Sequence, residues 1–210
     1  MIRAILADDH EVVRRGIKQV LEEQGDVEII RELSDGAQAV TSYKRLKPDV
    51  AILDISMPEI DGLEAAKQIL DWDPSARILM LTMHPEEQYA IRSLRAGVKG
   101  YITKNAGAEE LYKAVVSVSQ GRLYVSESGR ESVITQLLTK KNENSLLDNL
   151  SDRELQVLRM IASGRKTREI ADSLMLSVKT VETYRGRLMA KTKLHTVADL
   201  VIFARENNLI

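Results

Sequence analysis

Five side chains in the first half of the sequence have the types and positions to do chemistry together: Asp8, Asp9, Asp54, Thr82 and Lys104. Three carboxylates crowded at one point repel, and they do not all stay ionised without a cation. Their hard oxygens suit Mg2+, which takes a few carboxylates and fills its octahedron with water and phosphate oxygens. A nearby lysine neutralises one phosphoryl oxygen and a threonine hydroxyl hydrogen-bonds another. That set suits phosphoryl transfer, where positioning and charge neutralisation supply most of the catalysis. A carboxylate can also be the nucleophile itself, which gives an aspartyl phosphate. Taken singly, each residue has a plainer use. An Asp after a strand caps a helix or forms a turn, and a lone Lys sits on the surface. Only convergence on one rim makes a site of them.

The elements that position them follow from the hydrophobic pattern. Val50–Leu53 is a short apolar run without alternation, as expected of a strand buried on both faces of a parallel sheet, and it ends in Asp54. Pro58 and Gly62 then break the pattern and give a loop beside that acid. Ile2–Ala7 is a strand ending in Asp8, Asp9 and His10, and Val27–Leu33 is the second. Arg77–Leu81 leads into Thr82, and Val98–Ile102 precedes Lys104. Between them, helical spacing predicts helices over Glu11–Glu23, Gly36–Leu46, Leu63–Leu70, Glu86–Leu94 and Ala108–Ser119. Five strands alternating with five helices predict a five-stranded parallel sheet of flavodoxin-like (βα)5 type, covered on both faces. All strand ends of one sense then share a rim. If strands one and three flank the switch point, their acids converge there.

Composition narrows the class. The 210 residues, 44% hydrophobic and 29% charged, predict a soluble globular chain, and no apolar run approaches the length needed to span a bilayer. Met1 leads directly into a strand, so no signal peptide is expected, and the absence of cysteine excludes disulfides and thiolate metal sites and agrees with a cytoplasmic protein. The net charge of −1 hides an asymmetry. Residues 151–210 hold 11 Lys and Arg against 7 Asp and Glu, which leaves 19 against 24 in the first 150. An acidic domain joined to a small basic one points to nucleic acid as partner. ADDHEVVRRG contains no G-x-G-x-x-G, no P-loop pattern occurs, and Asp54-Ile55-Ser56 lacks the second acid of a D-x-D phosphatase.

The motifs ADDH at 7–10, LDISMPEIDG at 53–62, LTMH at 81–84 and GYITKNA at 100–106 resemble the receiver domain of bacterial response regulators. The resemblance covers residues 1–121. It implies that Asp54 accepts a phosphoryl group from a sensor histidine kinase, and that Asp8, Asp9, Asp54 and the backbone carbonyl of Ser56 bind Mg2+. It further implies that Thr82 turns toward the phosphate, Lys104 pairs with it and Tyr101 changes rotamer. Ser56 and His84 match positions that tune dephosphorylation. Asn105 stands where a proline often follows the lysine.

Residues 122–149 read as a linker. Glu127–Lys140 has a weak helical pattern, and KNENSLLDN at 141–149 forms the flexible part. Residues 150–210 predict a separate four-helix domain. Ser151 and Glu154 form a capping box opening a helix buried through Leu155, Leu158, Ile161 and Ala162. A short helix from Thr167, a connection over Met175–Ser177 and a helix over Val178–Lys191 give a helix-turn-helix. Val178, Val181 and Leu188 are expected inward. Lys179, Thr180, Glu182, Thr183, Arg185 and Arg187 are expected outward, where they can meet phosphates and base edges. A last helix, Val197–Arg205, is expected to bury Val197, Leu200, Val201 and Ala204.

The stretch from Leu150 resembles the LuxR-type DNA-binding domain through LS.RE..VL, G....EIA..L.LS and KTVE.Y. Together the halves resemble the NarL/FixJ family of response regulators. The resemblance places base contacts at Glu182, Thr183 and Gly186, and backbone contacts at Lys179, Thr180, Arg185 and Arg187. It implies promoter DNA as ligand, a homodimer when phosphorylated, and RNA polymerase as a further partner. The receiver would catalyse only its own phosphorylation and dephosphorylation. Two positions depart from the pattern: Gly186 offers no side chain, and Thr192-Lys193 replaces the usual Leu-Gly at the helix end. The rivals are a phosphorylation-independent regulator whose first domain mediates only protein contacts, and a stand-alone phosphatase.

Overall fold

The computed structural model describes residues 1–58, 60–83, 90, 93–126, 146–174, 176–207, 209 and 210, with 148, 149 and 152 described in backbone only. The chain divides into two compact units, Met1–Lys141 and Asn142–Ile210.

In the first unit the strands are β1 (Ile2–Ala7), β2 (Val27–Leu33), β3 (Val50–Asp54), β4 (Ile78–Thr82), β5 (Gly100–Thr103) and β6 (Tyr124–Val125). They form one sheet in the order β2-β1-β3-β4-β5-β6, with every pairing parallel. The order reverses between β1 and β3, so the switch point falls between the two strands that carry the acids. The sheet has one strand more than the sequence reading expected. Tyr124–Val125 pairs with Gly100 and Tyr101 of β5. Two residues are too few to show any period, so GRLYVS at 121–126 reads only as an exit from the last helix.

The helices are α1 (Glu11–Glu22), α2 (Gly36–Leu46), α3 (Gly62–Trp72) and α4 (Ala108–Ser119). Successive strand residues face opposite sides of the sheet. Leu6, Ile52, Leu79, Leu81 and Ile102 join Leu21 of α1 and Leu111, Ala114, Val115 and Val118 of α4 in one buried layer. Every residue of β3 and β4 is buried, as a central parallel strand requires. Asp35 and Asp61 start α2 and α3 by accepting the backbone N–H of Gln38 and Glu64 at 2.8 Å. The helix expected over Glu86–Leu94 and the one over Glu127–Lys140 lie largely or wholly outside the described residues, as does His84. Gly97, with φ +100°, stands where the first of these was expected to close.

The second unit holds a short 3-10 turn (Leu146–Asn149), α5 (Asp152–Ala162), α6 (Thr167–Ser173), α7 (Val178–Thr192) and α8 (Val197–Glu206). Its core gathers Leu155, Val157, Leu158, Ile170, Val181, Leu188, Leu200 and Ala204. Ser151 and Glu154 make the expected capping box, and Thr196 with Asp199 makes another. Two inward assignments are corrected. Val178 and Val197 are 43% and 42% exposed. Each is the first residue of its helix, and the helical period carries no information about a position where only half a turn of neighbours exists. Tyr184 and Thr192 are buried in their place. Met175, in the turn between α6 and α7, lies outside the described residues.

Candidate functional site

Register brings the acids together. Ala7 of β1 lies beside Leu53 of β3, so Asp8 and Asp54 leave the sheet side by side, and Asp54 itself lies beside Leu81 of β4. Thr82 pairs with Thr103 of β5, one residue before Lys104, and the Lys104 N–H donates to the Thr82 carbonyl at 2.6 Å. The rim therefore collects four of its five expected residues on adjoining strands. Asp9 completes the set through the turn into α1.

Lys104 is the centre of the arrangement. Its Nζ lies 2.7 Å from Asp8 Oδ2 and 2.8 Å from Asp54 Oδ2, and all three side chains are buried. Burial raises the Asp54 carboxyl above its ordinary range, with Lys104 opposing the shift and Asp8 adding to it. Burial also pulls the Lys104 ammonium down, but attraction to Asp54 and Asp8 outweighs this and holds it above its usual value. Three carboxylates against one ammonium leave two formal negative charges, the deficit a divalent cation would fill. The buried Oδ1 of Asp54 has no hydrogen bond of ordinary geometry, and the Ser56 backbone opposes the upward shift of the carboxyl. Ligand atoms of Asp8, Asp9, His10 and Asp54 lie within 4.8 Å of one another. The donor set is dominated by hard oxygens, so these residues fit Mg2+.

Ser56 is half-buried and Thr82 is buried beside the cluster. Tyr101 is buried in β5, facing Met80 and Val125 across its two neighbouring strands. Close backbone approach holds the floor of the site. A Cβ at Gly62 would stand 1.9 Å from the Asp54 carbonyl oxygen, so only glycine lets α3 begin there. Sequence reasoning passed over two neighbours. His10 Nδ1 lies 2.7 Å from Asp9 Oδ1, and the His10 N–H donates to Asp8 Oδ1 at 2.9 Å. Arg14 Nη1 donates to the Asp8 carbonyl at 2.6 Å. The signal for His10 was its place directly after the acid pair. For Arg14 there was none, since an arginine on a helix is ordinary surface.

The second unit presents α7. Val181, Tyr184, Leu188 and Thr192 bury one stripe of it. Lys179, Glu182, Thr183, Gly186 and Arg187 are exposed, and Thr180 and Arg185 are half-buried. Ser177 caps the helix by accepting the Thr180 N–H at 3.0 Å, and its hydroxyl lies 2.7 Å from the Thr180 hydroxyl, so Thr180 is partly committed to the cap. Thr183 donates its hydroxyl to the Lys179 carbonyl at 2.9 Å and keeps its oxygen as an acceptor. The far end of the helix is tied to α5. Buried Glu154 accepts the Ser151 N–H at 2.6 Å and lies 2.7 Å from Lys191 Nζ with the same Oε2. Lys193, at φ +58°, ends α7 in the left-handed conformation usually taken by glycine.

Comparison with known proteins agrees with both halves. Residues 4–116 match the family described as response regulator receiver domain, and residues 148–204 match bacterial regulatory proteins of the luxR family. The chain is similar along its whole length to the oxygen regulatory protein NreC of Staphylococcus aureus, 38% identical over 215 residues and covering 99% of that protein. Among solved structures it is similar to the response regulator ChrA of a heme-sensing two-component system, at 30% identity and TM-score 0.54, covering 100% of this chain and 98% of that one. It is also similar to RcsB from Salmonella enterica serovar Typhimurium bound to promoter rprA in the presence of the phosphomimetic BeF3−. That match is 27% identical with TM-score 0.58, over 96% of this chain and 97% of that one.

Proposed function

The chain belongs to the NarL/FixJ family of two-component response regulators, a receiver joined to a LuxR-type DNA-binding domain, and from that premise we propose that Asp54 is its phosphoryl acceptor and α7 its reader of promoter DNA. The observation that carries the first half is the buried Asp54 carboxylate at the sheet's switch point, 2.8 Å from Lys104. A carboxylate oxygen of Asp54 attacks the phosphorus of a phosphohistidine on a sensor kinase. The P–N bond breaks, the histidine nitrogen keeps the electron pair and takes up a proton, and an acyl phosphate forms. Lys104 follows a phosphoryl oxygen away from Asp8, Thr82 offers its hydroxyl to another, and Tyr101 repacks behind it. Asp8, Asp9, Asp54 and the Ser56 carbonyl would hold Mg2+, which when bound supplies charge neutralisation at the phosphoryl oxygens.

The added charge of roughly −1.5 to −2 is local and must bias a two-state element, here Thr82 with Tyr101. The favoured state dimerises, and two-fold symmetry sets α7 of each copy on paired half-sites. The similar RcsB structure, bound to promoter DNA in the presence of a phosphomimetic, supports the link between phosphorylation and DNA binding. A receiver with a DNA-binding output acts on itself alone, so its chemistry is limited to gaining and losing its own phosphate. None of the described helices is long and apolar enough to cross a membrane. The proposed regulator would act in the cytoplasm, where it meets promoter DNA, the kinase and RNA polymerase.

Acetyl phosphate with Mg2+ tests the proposal. Mass spectrometry should place the phosphate on Asp54, light scattering should report a dimer, and affinity for a footprinted genomic fragment should rise. Modification of Asp54 with neither change would end it. An Asp54→Ala variant that regulates like the unaltered protein would favour control without phosphorylation.

A further inference from the structure

We propose that Arg14 is a positioning residue for the metal site: it holds the peptide between Asp8 and Asp9 from outside the acid cluster and so sets the affinity for Mg2+. The inference rests on Asp8, Asp9 and Asp54 being the metal ligands of the proposed phosphoryl acceptor. It goes beyond that reading by naming what keeps two of them in place.

The charge of Arg14 is badly placed for its helix. It closes the first turn of α1, where the aligned peptide dipoles favour anions. Only 15% of its side chain is exposed, so the guanidinium has given up most of its water. Helical side chains lean toward the N-terminus of their helix, which carries this one back over the turn leading in from β1. There Nη1 donates to the Asp8 carbonyl at 2.6 Å, while Nε lies 3.6 Å from Glu32 Oε2 on the edge strand β2. Glu32 is itself held by Lys18 Nζ at 2.9 Å. The guanidinium is a strut between the sheet edge and one carbonyl.

That carbonyl belongs to the peptide joining the two acids. Asp8 is well fixed: its N–H donates to the Leu33 carbonyl at 3.1 Å, Oδ1 accepts the His10 N–H, and Oδ2 meets Lys104 Nζ. Asp9 is not. Its side chain is 25% exposed and, among the described residues, pairs only with the His10 ring. Where Asp9 stands therefore follows from the plane of the Asp8–Asp9 peptide. That plane is rigid, so a bond to its oxygen also fixes the nitrogen and Cα of Asp9. Groups that orient metal ligands change metal affinity by about 10–100-fold when removed.

Charge alone predicts the opposite. Arg14 is a cation close to a cation site, so its removal would tighten metal binding if only its charge acted. The test titrates the full chain with Mn2+, which takes the same oxygen ligands as Mg2+, and reads free Mn2+ by electron paramagnetic resonance. Arg14→Gln should need about tenfold more Mn2+ to half-fill the site. Lys18→Gln, the same charge removed one turn further along α1, should bind no more weakly than the unaltered protein. Arg14→Lys, which keeps the charge but cannot serve both oxygens, should fall between. In phosphorylation by acetyl phosphate, Arg14→Gln should raise the half-saturating Mg2+ concentration by the same factor and leave the limiting rate close to that of the unaltered protein. Equal or tighter Mn2+ binding by Arg14→Gln overturns the proposal. So does an equal loss in Lys18→Gln, or a limiting rate that falls at unchanged half-saturation. If Arg14→Gln does not fold, Arg14→Lys decides: weaker Mn2+ binding supports the proposal and unaltered binding overturns it. If Asp54→Asn binds Mn2+ as tightly as the unaltered protein, the metal site itself is misassigned and the proposal falls with it.

Discussion

Lys104 holds in place two carboxylates that would otherwise face each other out of water. Removing one member of a buried charge cluster costs more than the cluster contributes, because the remaining charges stay unpaired. Lys104→Met should therefore destabilise the first unit by about 3–5 kcal/mol in urea denaturation. Millimolar Mg2+ should restore part of that loss, since a cation between the acids does what the ammonium did. A variant as stable as the original, with or without the metal, would contradict the geometry of the site. A second pairing gives a pH signature. Tyr43 donates its hydroxyl to Asp73 at 3.1 Å, and its ring lies edge-on to Trp72, the sole tryptophan. The Ser75 hydroxyl holds the Asp73 carboxyl below its ordinary 3.8, with the Tyr43 hydroxyl adding to the shift. A folded value below the unfolded one gives stability that is present above the unfolded pKa and lost as pH falls through the folded one. Asp73→Asn should thus be less stable than the original at pH 7, the gap starting to close only as pH falls below 3.8 and vanishing once it has passed through the lowered folded value, with Trp72 fluorescence as the probe. A gap that persists in acid would place the effect elsewhere. The rim residues were legible because each ends a strand, a place where topology alone brings side chains together. Asp73, His10 and Arg14 were not, because their partners are chosen by turns and helix packing.

At the scale of elements, backbone geometry rather than polarity decides two positions. Gly62 begins α3 against the carbonyl of Asp54, with no room for a Cβ. Gly62→Ala must push the helix from the strand, and overpacking of this kind costs about 1–3 kcal/mol or more. Because the obstacle is backbone, the upper end is expected, and the variant should also lose phosphorylation by acetyl phosphate as the loop beside Asp54 moves. Normal stability and phosphorylation together would show that the contact relaxes freely. At the end of α7 the chain does the reverse and places Lys193 where glycine is at ease. The left-handed conformation costs a residue with a Cβ about 1–2 kcal/mol, so Lys193→Gly should stabilise the second unit by about 1 kcal/mol in thermal unfolding, while Lys193→Ala should not. The strands were readable because a parallel sheet buried on both faces leaves unbroken apolar runs such as Val50–Leu53. The limits of that reading are physical. β6 is too short for a period, Val178 and Val197 stand at helix starts, and Tyr184 has a polar tip that disguises its place in the buried stripe with Val181 and Leu188.

For the whole molecule, charge is segregated along the chain: residues 151–210 hold 11 basic and 7 acidic residues, and the first 150 hold 19 and 24. Segregation of this sort governs association with a polyanion rather than folding. Its consequence separates two kinds of residue on one helix. A cation that meets phosphate adds affinity without regard to sequence, and each phosphate neutralised steepens the fall of log affinity with log salt by about 0.9. A residue that meets a base edge changes the ranking of sequences and leaves that slope nearly untouched. Under the proposed function Arg187 and Lys179 belong to the first kind and Glu182 and Thr183 to the second. Arg187→Ala should bind matched and mismatched duplexes less tightly by the same factor, with a slope shallower by about 0.9. Thr183→Ala should bind the matched duplex less tightly and mismatched ones as before, at an unchanged slope. Anisotropy titrations from about 50 to 200 mM salt cover the range where such slopes are readily resolved. Should Arg187→Ala reorder the sequences, or Thr183→Ala flatten the slope, the division of α7 into positioning and reading residues would have to be redrawn. The sequence carried this division only as residue chemistry on an outward face. The exposed set of Lys179, Glu182, Thr183 and Arg187 around Gly186 now fixes which side chains the titrations must separate.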